Sequence, residues 1–290
     1  MTPSSRTLTR PWLLLAPTLT AYLFLLVIPV AFVVVYSLWL GSATGLATQE
    51  WTLQNWKELL GDPFYWAILW QTLRIAIVST LVCAIVGYPV AYFLVRSQIR
   101  NKTFLIILLL LPFWISYIIR TLSWINILGA KGVLNTTLMA LGLVNEPMQM
   151  LYNEASVILG LVHYLLPFMI LNIYVALDGV DRNVEDSAAT LGAPPWRVFM
   201  EVTLPLSLPG LAAGGLLCFV LGAGTYVTPM ILGGPQNAMF AQLIYDTIIV
   251  LLDWPMGATL SIMLLVLLTG IVLIYNRYIG LGQIYRSLAA

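Results

Sequence analysis

The sequence predicts an all-α membrane protein with six transmembrane helices and both termini in the cytoplasm, and three observations carry that expectation. Hydrophobic residues make up 60% of the 290-residue chain and charged residues only 9%, where soluble proteins carry charge on about a quarter of their residues. The mean hydropathy is +0.93. Six apolar runs, 11–40, 66–95, 103–128, 154–177, 206–232 and 257–279, reach the roughly 20 residues that a helix needs to cross a bilayer. With the N-terminus inside, the inner side holds Arg6, Arg10, Arg96, Arg100, Lys102, Arg182, Arg197, Arg277 and Arg286, whereas the outer loops hold only Lys57 and Lys131. That bias fixes the orientation, because Lys and Arg concentrate in cytoplasmic loops.

The elements follow in chain order. Residues 1–10 form a cytoplasmic N-terminus, and 11–65 form the first transmembrane helix with an outer loop. The first apolar run follows Arg6 and Arg10 as a secretory signal would, yet it exceeds the usual 7–15 residues of a signal core and is expected to remain as an anchor. In segment 51–60, Trp51, Leu53, Trp56, Leu59 and Leu60 are spaced like an interfacial helix, with tryptophans suited to the headgroup level. Residues 66–279 form the core of five helices, and 280–290 a cytoplasmic tail. Segment 236–253 is too short and too mixed to cross, so a helix along the outer surface is expected.

Within the spans, Arg74 and Arg120 interrupt apolar sequence. A charge there marks function or snorkels to the interface. The fifth run is rich in breakers: Gly222, Gly224, Pro229, Gly233, Gly234 and Pro235. Loosened backbone of this kind lines a cavity or packs against another helix. Cys83 and Cys218 both lie in apolar runs, which predicts neither a disulfide nor a metal site, and His163 reads as a packed or pore-lining neutral side chain. No phosphate-binding loop of the form G-x-x-x-x-G-K-[ST] occurs, so ATP chemistry is not expected in this chain. No basic cluster with interleaved aromatics points to nucleic acid, and no catalytic residues are expected.

The longest polar interruption of the second half is DGVDRNVEDSAATLGAPPWRVFMEVTLPLSLP, residues 178–209. Asn183 is the expected N-cap with Asp186 three residues on, and Gly192 supplies a left-handed stop. Pro194-Pro195 restarts a helix, since proline fits a first turn where no N–H donor is needed. Leu204-Pro205 and Leu208-Pro209 are expected to end it. Ala188 and Ala189 leave part of the first helix nearly bare, open to another protein's surface. The result is an exposed cytoplasmic hook.

The run Asp186-Ser187-Ala188, then Gly192, then Val202, Leu204 and Pro205 resembles the EAA loop of ABC-importer permeases, written E-A-A, three residues, G, nine residues, I-x-L-P. The spacing agrees throughout; Asp186, Ser187 and Val202 replace Glu, Ala and Ile. The segments LLLLPFWISYIIRTLSWINILGAKGVLN from Leu108, YVTPMILGGP from Tyr226 and DWPMGA from Asp253 are similar to the PotB/PotH-type branch that serves spermidine and putrescine importers. The resemblance implies a type I ABC-importer permease fold in a bacterial inner membrane, with loop 178–207 as the ATPase-coupling element. Asp186, Ser187, Ala188, Ala189, Gly192, Val202, Leu204 and Pro205 are its implied contact residues.

The resemblance further implies three partners besides the lipid: a cytoplasmic ABC ATPase dimer carrying the ATP and Mg, a second permease subunit of the PotC/PotI type, and a periplasmic substrate-binding protein; it implies no cofactor in this chain itself. For a polyamine cargo, ammonium groups would meet aromatic faces and acids, and Trp114, Tyr117, Trp124, Tyr226, Tyr245 and Asp246 are candidates by position. Opines or aminoalkylphosphonates are the alternative cargoes that the family suggests. Two other classes compete with this reading. A lone ion-coupled transporter needs an acid near mid-membrane, which the spans lack, and a channel needs a filter loop, which is not evident.

Overall fold

The computed structural model describes residues 10–41, 48–97 and 100–279. Apart from Arg10, the expected N-terminal segment 1–10 lies outside the described residues, as does the tail 280–290. The first long helix comprises α1 (Arg10–Tyr22), a π turn (Leu23–Val27) and α2 (Ile28–Ser37), and leads to β1 (Trp39–Leu40), β2 (Thr48–Trp51) and α3 (Gln54–Gly61). Then come α4 (Pro63–Arg96), α5 (Lys102–Leu110) with a 3-10 turn (Leu111–Trp114), α6 (Tyr117–Leu128), α7 (Val133–Ala140) and α8 (Glu154–Asp178). The hook comprises α9 (Arg182–Thr190), α10 (Pro195–Val198) and a π turn (Phe199–Thr203). It runs into α11 (Leu204–Ala223), followed by α12 (Val227–Leu232), α13 (Phe240–Tyr245) and α14 (Trp254–Ile279).

Five helices among the described residues are long and apolar enough to cross a membrane: Leu15–Ser37, Pro63–Arg96, Glu154–Asp178, Pro195–Ala223 and Trp254–Arg277. The sixth is a broken pair, Lys102–Trp114 and Tyr117–Ala140, bent by 91°. The sequence predicted one continuous helix over 103–128. Pro112 removes a backbone donor and ends α5, and Ile115 is extended and Ser116 non-helical before α6 begins.

The fifth span also departs from expectation. Leu204-Pro205 and Leu208-Pro209 do not end the helix begun at Pro195. The π turn Phe199–Thr203 widens the backbone just ahead, so Pro205 falls in the first turn of α11, where its missing N–H costs nothing. The helix stops at Ala223 rather than 232, because Gly224, Thr225 and Tyr226 leave it before α12.

The chain divides into two compact units, 1–63 with 244–266, and 64–243 with 267–290. In the first unit, β1 and β2 pair antiparallel, Trp39 opposite Trp51, a small ribbon in an otherwise helical protein. Trp51 therefore sits in a strand, and the predicted interfacial helix over 51–60 is shortened to α3. Asn55 Nδ2 donates to the Trp39 carbonyl (2.9 Å) and Thr259 Oγ1 to that of Ser37 (3.3 Å). The Asp253 carboxylate accepts from Met256 N–H (3.0 Å) at the start of α14.

The second unit is built around α8. A capping box formed by Asn153 and Ser156 starts this helix. Val157, Leu161, Leu165, Met169, Ile173 and Leu177, one at every fourth residue, form a buried row that meets Ile75, Cys83 and Ala91 of α4 and Cys218 of α11. Gly210 and Gly214, one turn apart on α11, let the two backbones approach: a Cβ at Gly210 would lie 2.3 Å from Ala176 Cβ and 2.5 Å from the Asn172 carbonyl oxygen. Small residues four apart are the usual means of close helix packing in membranes. The thiols of Cys83 and Cys218 are free and donate to the carbonyls of Val162 and Leu165.

Candidate functional site

The hook starts two residues earlier than the sequence suggested. Asp181, not Asn183, is the N-cap of α9: its carboxylate accepts from Asn183 N–H (3.0 Å), and the Asn183 side chain donates back to it (3.3 Å). Asp186 therefore has no capping role; Glu185 occupies the first turn instead. The stop is as expected. Gly192 has φ +90, Gly192 N–H donates to Ala189 O (2.9 Å), and Ala193 N–H donates to Ala188 O (3.2 Å). This pair of reverse bonds is the Schellman closure, which needs a left-handed residue after the helix. Pro195 then opens α10 at its first position.

The two sides of α9 differ. Asn183, Asp186, Ser187, Thr190 and Leu191 share the outward face and line a shallow recess of about 440 Å³. Leu191 is 89% exposed, and Trp196 and Met200 beyond the bend are exposed as well. Glu185 and Ala188 turn inward, while Ala189 and Pro205 are exposed and Val202 and Leu204 are half-buried. Glu185 Oε1 accepts from Arg96 Nη2 (2.6 Å) at the end of α4 and from Thr203 Oγ1 (2.7 Å). Arg182 donates to the Val95 carbonyl (3.1 Å), and so does Lys102 (2.8 Å). Cations thus gather where the helix dipole of α4 is negative. Sequence reasoning counted Arg96 only among the inner cations and passed over Glu185, and the two lie 89 residues apart.

A second cluster lies among the spans. Tyr117 and Trp124, two turns apart on α6, face α8: the Tyr117 and Tyr164 ring centroids are 4.5 Å apart, and Trp124 Nε1 donates to His163 Nδ1 (3.1 Å). The Tyr117 hydroxyl meets Thr225 Oγ1 (3.0 Å) and also Thr228, so one phenol ties the break of the third span to that of the fifth. Arg120 is 9% exposed; it donates to Pro112 O (2.9 Å) and lies 5.8 Å from the Tyr164 ring centroid. It does not snorkel. Arg74 pairs with Glu154 at the start of α8.

Of the residues named from sequence for a cargo pathway, Tyr117 and Trp124 join this cluster, and Tyr226 is adjacent to Thr225 as the residue before α12. Trp114 does not join it: the turn before the break leaves it 84% exposed. Tyr245 and Asp246 belong to the other compact unit.

Residues 9–280 match the family model described as "Binding-protein-dependent transport system inner membrane component". The chain belongs to this family. It is 35% identical over 226 residues to the spermidine/putrescine transport system permease protein PotB of Salmonella typhimurium, 78% of each chain being covered. It is 28% identical over 275 residues to the putative 2-aminoethylphosphonate transport system permease protein PhnU of the same species, with 93% of this chain and 94% of that one covered. The fold matches a crystal structure of a bacterial alginate ABC transporter with its periplasmic protein, at a TM-score of 0.74 and 19% identity, covering 94% of this chain and 96% of that one. The protein is a multi-pass permease subunit of an ABC importer in a bacterial inner membrane, with the type I importer fold.

Proposed function

We propose that this chain forms half of the translocation pathway for a polyamine such as spermidine or putrescine. A periplasmic binding protein delivers the cargo, and a second permease subunit of the PotC/PotI type completes the path. A cytoplasmic ATPase dimer, which holds the ATP and Mg, docks on the outward face of α9, with Asp186, Ser187, Ala188, Ala189, Gly192, Val202, Leu204 and Pro205 forming or shaping that surface. The observation that carries the coupling reading is the asymmetry of the hook. Its inner face is bonded to α4 and Thr203, while its outer face presents Asp186, Ser187 and an almost fully exposed Leu191. Leu191, Trp196 and Met200 are all exposed within this one polar loop, and apolar surface rimmed by polar residues supports a docking role. ATP binding and hydrolysis bias the permease pair between two states through differential contacts at that surface.

The cargo reading rests on the likeness to PotB and on the aromatic faces of Tyr117, Trp124 and Tyr226, which suit ammonium groups. One feature favours a second reading, an aminoalkylphosphonate: the buried Arg120 guanidinium has no carboxylate partner among the described residues and would suit an anionic group. Purification of the native complex, followed by uptake in proteoliposomes with spermidine or 2-aminoethylphosphonate as competitor, tests both. Co-purified ATPase with uptake inhibited by spermidine is the expected result. Inhibition by the phosphonate alone would replace the cargo, and transport by this chain without an ATPase would overturn the reading.

A further inference from the structure

The polar base of the hook does more than cap a loop. Glu185 Oε1 collects two donors, Arg96 Nη2 at 2.6 Å from the last residue of α4 and Thr203 Oγ1 at 2.7 Å from the residue preceding α11. The ion pair is largely withdrawn from water, its side chains being 13% and 14% exposed. Partly buried pairs of this kind are weakly screened by salt and are sensitive to loss of one partner. Around it, Arg182 reaches the Val95 carbonyl, Phe199 packs edge-on against Tyr88 and Tyr92 (centroids 5.6 and 5.7 Å), and the Tyr88 and Ser207 hydroxyls lie 2.7 Å apart.

Helix α9 could in principle turn about its two connections, Gly179 to Asp181 and Gly192 to Pro194, without moving any span. The Glu185 contacts remove that freedom by fastening α9 to the ends of two spans at once. We infer that Arg96, Glu185 and Thr203 form a clasp that makes α9, the inner end of α4 and the start of α11 move as one body, and so converts displacement of the hook into movement of the pathway helices. Neighbouring acids divide the work: Asp186 faces outward to the partner and Glu185 faces inward to the spans. Arg96, Glu185 and Thr203 are positioning residues. The inference rests on the coupling role proposed for the hook.

The test uses the complete complex in proteoliposomes with its binding protein, and reads ATP hydrolysis, uptake and ATPase co-purification in the same preparations. Glu185→Gln preserves shape and the bond from Thr203 but removes the charge. It should keep the ATPase bound and hydrolysis within about two-fold, while uptake per ATP falls about ten-fold, inside the usual range of coupling between two sites. Arg96→Glu should uncouple more severely, and Arg96→Glu combined with Glu185→Arg should recover uptake relative to either single variant. Hydrolysis and uptake falling together with loss of the ATPase would show a folding or docking role and overturn the clasp, as would unchanged uptake per ATP in Glu185→Gln. A wild-type complex that contains no ATPase would overturn the coupling reading itself, and the clasp with it.

Discussion

Replacing Gly192 by alanine isolates backbone strain from packing. The residue has φ +90, and a Cβ built on it would meet nothing within 4 Å. An L side chain in the left-handed region costs about 1–2 kcal/mol, and no steric contact adds to it. The cost falls on the two reverse bonds, Gly192 N–H to Ala189 O and Ala193 N–H to Ala188 O. Local opening of the stop should therefore become about 5- to 30-fold more frequent. Hydrogen exchange at positions 192 and 193, measured by mass spectrometry on the purified complex, should show loss of protection by that factor, with α8 unchanged. Gly192→Asn should lose less, because asparagine tolerates the left-handed region. Gly142 supplies a matched control, with φ +68 and equally open space: Gly142→Ala should loosen its own turn and leave uptake intact, whereas Gly192→Ala should lower uptake relative to ATP hydrolysis. Unchanged protection at 192 and 193, or a larger loss in Gly192→Asn than in Gly192→Ala, would refute the strain argument.

Further outcomes follow from other parts of the molecule. Gly210→Ala drives a methyl into Ala176 and the Asn172 carbonyl and should destabilise the α8–α11 packing by about 1–3 kcal/mol, seen as a lower Tm; Gly215→Ala, with its nearest neighbour at 3.9 Å, should leave Tm unchanged. Tyr117→Phe removes the hydroxyl that joins Thr225 and Thr228, about 1 kcal/mol, and should reduce uptake roughly five-fold while the ATPase stays bound. Asp181→Ala should cost about 1 kcal/mol of α9 stability through its lost cap, read as faster exchange in the first turn, whereas Asp186→Ala should leave that turn unchanged.

Long, unbroken apolar runs were legible almost to the residue: α4, α8 and α14 begin and end close to the predicted bounds, because length and hydropathy alone decide a span. The two broken spans were not. Apolar sequence continues through Ile115 and through Val227–Leu232, so composition hides the breaks; Pro112 and Gly224 signal weak points without saying whether neighbouring helices will compensate. Gly192 was legible because only its position satisfies the stop after an EAA-type run, and the structure gives it the left-handed φ. The N-cap was misread since Asp181 and Asn183 are chemically equivalent candidates, and the choice depends on how the chain leaves α8 through Gly179 and Val180. The contacts of Glu185 were beyond reach: nothing local distinguishes it from Asp186, and its partner Arg96 comes from another span. The same holds for the tie between Tyr117 and Thr225, which joins residues 108 positions apart.

The most direct test of the account asks whether the outward face of α9 touches the ATPase in a working complex. The two native cysteines are buried, each 0% exposed, so a cysteine introduced at an exposed site reacts alone. Ser187→Cys, in an importer that still takes up cargo, should be joined by a short thiol-to-amine cross-linker to the ATPase subunit, with a yield that changes when ATP is added. Leu141→Cys, 67% exposed on the loop between the third and fourth spans, should give no such product. Cross-linking from 187 alone would support the account; an active complex in which position 187 never reaches the ATPase, or in which position 141 does, would contradict it.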